Sequence, residues 1–277
     1  MYWSKIKQFF YVWRDCFRSL SEVRIFVPFL VFAIIQLGGL FVLLNFYRYP
    51  INNLLVPVFK LVAGENYLHY PDSFMVMPLL FSYTNIILSG LIGTVIIGIS
   101  TLLFAGKYQK KKITFSLSVK KVFPKYLILF VLWILESITV FAVMLGLPAL
   151  CQNLFILEYI EIRYLEFACF FSGLFVAAIF AYTTAAVVLG NQGIKKSFLA
   201  SYKIFGKHII ATFLLVLIPN IANLPFNYAS GKTLLVLQRF NPEMIFVLIS
   251  FTIIVSVVTN FFLVGTVTRY YMVQQKY

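Results

Sequence analysis

From Ile25 to Phe46 the chain carries no charged side chain, and five further apolar runs of similar length follow, at about 76–105, 126–150, 167–190, 209–228 and 244–268, with one charged residue among them. About 20 apolar residues wound as a helix match the hydrocarbon thickness of a bilayer. Backbone polar groups in lipid have no water to bond, so helices and closed barrels are the structures that cross it. Barrel strands alternate in character over about ten residues. These runs are continuous and read as helices. Only 12% of the residues are charged and 61% are hydrophobic, against about a quarter charged in a soluble domain. The expectation is an all-α membrane protein with six transmembrane helices, forming a single polytopic domain over 1–277.

The basic residues set the expected orientation. Eighteen of the 23 Lys and Arg fall in the N-terminal segment, the second-to-third connection, the fourth-to-fifth connection and the C-terminal tail. Positive charge concentrates on the cytoplasmic side of membrane proteins, so both termini are expected inside. The location that follows is the bacterial inner (plasma) membrane, multi-pass. The net charge of +14 is spread along that face, where anionic lipid headgroups attract it. No nucleic-acid module accompanies it, and nucleic acid is not an expected partner. The first apolar run follows a charged segment of 24 residues with no small-x-small cleavage signal, which marks it as a retained anchor rather than a cleaved signal peptide. Cys16, Cys151 and Cys169 lack metal or redox spacing and are expected as free thiols.

A weak internal repeat organises the chain. LSVKKVFPKYLILFVL (117–132) matches LASYKIFGKHIIATFL (199–214), pairing Lys121, Phe123 and Lys125 with Lys203, Phe205 and Lys207. Each stretch leads into an apolar run, as the N-terminal segment does before the first. Aromatic residues at helical spacing face away from Lys and Arg in all three. The stripes are Ile6, Phe9, Phe10, Trp13, Phe17 and Leu20; Phe115, Val119, Val122 and Phe123; and Phe198, Leu199, Tyr202 and Phe205. Such segments suit helices lying in the headgroup region, with Lys5, Lys7, Trp13, Arg14, Arg18, Lys120, Lys121, Lys203 and Lys207 as basic and aromatic anchors. The stripes could equally pack on the chain's own spans. Three hairpins, each preceded by a basic interfacial helix, give the expected architecture.

The S-x-x-x-S-Y-K-x-F-G-K-H stretch at 197–208, its weaker copy at 113–125 and the six-span layout carry a family resemblance. The chain resembles bacterial six-helix integral membrane proteins of uncharacterised function, some of which form the membrane domain attached to glycerophosphodiester phosphodiesterases. The resemblance implies a membrane domain. It does not carry over the phosphodiesterase activity, whose catalytic domain these residues do not contain.

One charged side chain interrupts the apolar runs. Glu136, in VLWILESITVF, sits near the middle of the third. Charge at the bilayer centre costs roughly 3 kcal/mol on insertion scales. The expected state is a protonated carboxyl donating a hydrogen bond to Asn220, Asn223 or Asn260, or to Gln36 or Asn85. The fifth run, LIPNIANLPFNYASGK from Leu217, holds Pro219 and Pro225, each removing a backbone donor. A broken helix is expected there, and such breaks survive at membrane depth only against protein or a water-filled cavity. The 47–75 loop offers His69 and Asp72, too few ligands for zinc, and a turn around Pro71 is expected. Gly90, Gly93 and Gly98 in the second run suit close helix packing. No catalytic motif and no cofactor is expected. The functional expectation is a non-enzymatic membrane subunit or scaffold contacting lipid and partner proteins. The alternative is a transporter or lipid-handling protein with a cavity near Glu136 and the broken fifth span.

Overall fold

A computed structural model describes residues 2–153 and 162–275; Glu158, Glu161 and Lys276 lie outside them. Among the described residues the chain is helical, with no strand. The helices are α1 (Tyr2–Ser19), α2 (Val23–Leu44), α3 (Ile51–Ala63), α4 (Ser73–Leu88), α5 (Thr94–Tyr108), α6 (Phe115–Val122) and α7 (Tyr126–Asn153). After them come α8 (Ile162–Phe180), α9 (Thr183–Val188), α10 (Ile194–Lys207), α11 (Ile209–Ile221), α12 (Leu224–Gly231), α13 (Thr233–Arg239) and α14 (Met244–Gln275).

Among the described residues five helices are long and apolar enough to cross a membrane: Val23–Leu44, Ser73–Tyr108, Phe115–Cys151, Tyr164–Val188 and Met244–Gln275. A sixth counts only when α10 and α11 are taken together, and these meet at 102°. The fifth run therefore departs from a single membrane-length helix. Its helix, α11, has 13 residues, about 20 Å at 1.5 Å per residue. It ends where the prolines and asparagines cluster. A turn at Ala222–Asn223 separates α11 from α12, and Pro225 opens α12, where a missing N–H costs nothing. The fifth run is interrupted at this turn, and Pro219, expected as part of the break, lies inside α11 instead.

The second amphipathic segment also departs from expectation. Instead of a separate interfacial helix, α6 runs through a 3₁₀ turn, Phe123–Lys125, into α7 as one long helix. Pro124 opens a new helical stretch, where its fixed φ is already helical, and so does not break the chain.

The chain divides into two compact units. The first comprises 1–26, 94–219 and 262–277; the second comprises 27–93 and 220–261. In the first, Val12 of α1, Tyr182, Ala185 and Ala186 around α9, Leu215 of α11 and Val267, Tyr270 and Tyr271 of α14 form one core. Small residues permit the closest approaches, as expected for packing in lipid. A Cβ on Gly265 would lie 2.6 Å from Cys16 Sγ and 2.8 Å from Phe104, and one on Gly98 would lie 2.8 Å from Val122. Ser201 of α10 donates to the Ile179 carbonyl at 2.6 Å and accepts from Tyr182 N–H at 3.1 Å. It thereby satisfies backbone groups where α8 gives way to α9. Lys125 Nζ donates to the Val187 and Val188 carbonyls at 3.0 and 3.1 Å, capping α9 with positive charge at its C-terminal end.

In the second unit, Phe29 meets Phe261 edge-on, and Phe46 stacks on Phe59 of α3 at 4.1 Å. A π-helical turn, Ser89–Gly93, joins α4 to α5, and Gly93 lets the Phe32 ring approach. The turn at Pro71 is present, and Tyr70 OH donates to Glu243 at 3.3 Å.

Candidate functional site

Glu136 lies mid-helix in α7 of the first unit, half-buried. It continues the stripe of buried Leu129 and Leu132, which recurs at three- and four-residue spacing. Four residues on, Val140 faces Gly173 of α8. Among the described residues Glu136 has no hydrogen bond and no ion pair. The amides belong to the second unit and have their own partners there: Asn223 donates to Thr259 Oγ1 at 3.1 Å, and Gln36 to Asn85 at 2.5 Å. Asn220 and Asn260 are half-buried in that same unit. Pro219 is buried at the end of α11, and Pro225 is exposed at the start of α12.

The amphipathic stripes divide between the two roles left open by their sequence. In α1 the fully buried face is Val12, Cys16 and Ser19, rotated from the expected stripe, while Phe10 and Phe17 are exposed at 66% and 52%. In α6 and its 3₁₀ extension, Val122 is buried and Phe123 is 68% exposed. In α10, Phe205 is buried, and Leu199 and Tyr202 are exposed. Lys7, Arg14, Arg18, Lys120, Lys121, Lys203 and Lys207 are all exposed, and Trp13 is half-buried. The side chain of Lys5 lies outside the described residues.

One feature of the first unit is not announced by local sequence. A cavity of about 860 Å³ opens between the end of α1, the start of α2, the end of α5 and Arg269 of α14. Seven cationic side chains line it against two acids, Asp15 and Glu22. Arg269 bonds Asp15 at 2.8 Å and donates to Tyr11 OH at 2.9 Å. It lies between the Tyr11 and Tyr108 rings, 5.1 Å from each, and Tyr108 OH donates to the Gly265 carbonyl at 3.1 Å. The second acid, Glu22, pairs with Lys107.

Local backbone geometry brings three lysines to the cavity. At the end of α5, Lys111 N–H donates to the Gly106 carbonyl and Lys110 N–H to that of Lys107, the paired bonds of a Schellman cap. Lys110 takes φ 56°, the left-handed position usually given to glycine, at a cost of about 1–2 kcal/mol for an L-residue. Ile113 then folds over Gly106, where an added Cβ would lie 2.8 Å from it. In α1, burial pushes the Cys16 thiol up to about 12. All three cysteines are free.

A second cavity of about 600 Å³ lies in the second unit, lined by Asn45, Arg48, His69, Tyr70 and Glu243 among aromatic side chains. Among the described residues no three His, Cys, Asp or Glu converge as a metal site. No family model matches the chain, and neither a curated protein nor a solved structure does.

Proposed function

We propose that the chain is a non-enzymatic multi-pass subunit of a bacterial inner membrane, held and oriented by anionic headgroups on its cytoplasmic face. The observation that carries this reading is the pairing of exposed aromatic and basic side chains on α1, α6 and α10. Each helix has already packed its other face, yet Phe10 and Phe17, Phe123, and Leu199 and Tyr202 stay exposed beside Arg14, Lys120 and Lys203. That combination favours the headgroup region of an anionic leaflet.

Six crossings with both termini inside fit the contacts of the first unit. The Asp15–Arg269 and Glu22–Lys107 pairs hold α1, the end of α5 and the end of α14 at one face. Lys125 ties the start of α7 to the end of α9. With α14 crossing, the chain must cross once more between α10 and α13, and α11 with α12 is the segment for it.

Native mass spectrometry of the tagged chain, gently released from its own membrane, tests the proposal. Retained anionic lipid or a stoichiometric membrane-protein partner supports it. A lone chain with neutral lipid in bulk proportion overturns it. A second reading, transport or lipid handling, draws on the unpaired Glu136 and the interrupted fifth run. Proton-coupled uptake into proteoliposomes that Glu136→Gln abolishes would establish it in place of the first.

A further inference from the structure

The basic cavity holds more charge than general contact with an anionic leaflet calls for. Both of its acids are engaged, Asp15 by Arg269 and Glu22 by Lys107. Arg18, Arg24, Lys110, Lys111 and Lys112 line it with no ion pair among the described residues. Five like charges around one cavity repel each other unless an anion joins them. Lys110 takes a left-handed backbone conformation that favours glycine, at a conformational cost for an L-residue. Arg269 forms a fixed wall, clamped by Asp15 and two tyrosine rings, and its buried Nε has no hydrogen-bond partner.

We propose that this cavity binds a group carrying two phosphates. A single phosphodiester brings one negative charge to five unpaired cations; two phosphates bring at least two and reach more of the rim. The volume of about 860 Å³ falls in the range of ligand pockets, about 300–1,000 Å³, and exceeds the needs of one phosphate. The cavity opens where apolar helices meet polar connections, at Val23–Ile25 opening α2 and Lys107 closing α5. Exposed Val23 on its rim is apolar. A headgroup seated there keeps its acyl chains in the bilayer, the arrangement of basic pockets that take twin-phosphate lipids. A soluble diphosphate offers the same chemistry from the aqueous side. The site deepens the reading of the basic face as lipid-binding, and rests on it for the source of the phosphates.

The experiment uses the full chain in nanodiscs of zwitterionic lipid. Cardiolipin, phosphatidylglycerol at matched total charge, and inorganic pyrophosphate in the buffer are compared by native mass spectrometry and thermal shift. The expected result is one cardiolipin retained per chain in preference to phosphatidylglycerol. Arg24→Gln with Lys111→Gln should weaken that retention by about 25-fold, taking roughly fivefold for each cation. Lys120→Gln with Lys203→Gln, outside the cavity, should change it by less than about twofold if the site is discrete. Binding of pyrophosphate in place of cardiolipin, lost in the same cavity variant, supports the site with a soluble source. Equal loss in both variants, or no preference over phosphatidylglycerol at matched charge, overturns the discrete site and leaves the general lipid reading standing. No response to any of the anions overturns both.

Discussion

At the residue scale, the closest approaches carry the sharpest consequences. Gly265 is hemmed in by Cys16 Sγ and the Phe104 ring, both under 3 Å from an added Cβ. Gly265→Ala should lower stability by about 1–3 kcal/mol through overpacking, read as a fall in the thermal midpoint in detergent. Cys16 gives a pH dependence with a definite sign. An unfolded thiol titrates near 9.0, and burial holds the folded one near 12. Below 9 this group leaves stability intact. Between about 9 and 12 the unfolded chain loses a proton that the folded chain keeps, so stability falls as pH rises. In a background with Cys151 and Cys169 replaced, maleimide should not label Cys16 at neutral pH until the protein unfolds; rapid labelling of the native chain contradicts its burial. Glu136 has no partner to lose among the described residues. Glu136→Leu should therefore raise stability by about 1–3 kcal/mol, the scale of the penalty for charge in a membrane helix. A loss instead would reveal a partner, in another chain or a bound molecule.

At the scale of the element, the serines of α10 show how a short amphipathic helix becomes part of the bundle. Ser201 bonds both a carbonyl and an N–H at the α8–α9 junction. Ser201→Ala should cost about 1–3 kcal/mol because both groups are left unsatisfied in the core, and hydrogen exchange should rise first at Tyr182. Five of the six apolar runs were legible because apolar length is a local property. The interruption of the fifth was legible from Pro219, Pro225 and the asparagines. The 102° turn between α10 and α11 was legible only as the boundary between an expected interfacial helix and the run from about 209, and its residue was not. It falls at Lys207–His208, where φ −138° and ψ 44° of His208 leave the helix, and neither residue is a strong breaker. Helical periodicity found the aromatic stripes but could not say which edge packs inward. Cys16 is buried against Gly265 and Phe104, and Val12 against Tyr182, Leu215 and Tyr270, all far along the chain from α1.

At the scale of the whole molecule, the basic cavity was illegible for the same reason. Its cations were visible as topogenic charge in three separate connections. Their convergence needs the α1–α2 turn, the Schellman cap of α5 and the end of α14 to meet. The same meeting makes the topology testable. In a cysteine-free background, single cysteines are placed at Lys111 in the α5–α6 connection, at exposed Leu61 of α3 and at exposed Phe240 before α14. One crossing, α4 with α5, separates 61 from 111, so an impermeant maleimide added to intact cells should label 61 and leave 111 dark. Inside-out vesicles should give the reverse. Position 240 decides the fifth crossing. If α11 and α12 carry the chain through the bilayer, 240 labels with 61. If they turn back instead, 240 labels with 111. In that case α14 would carry Arg269 to the face opposite Asp15, against the 2.8 Å bond that joins them.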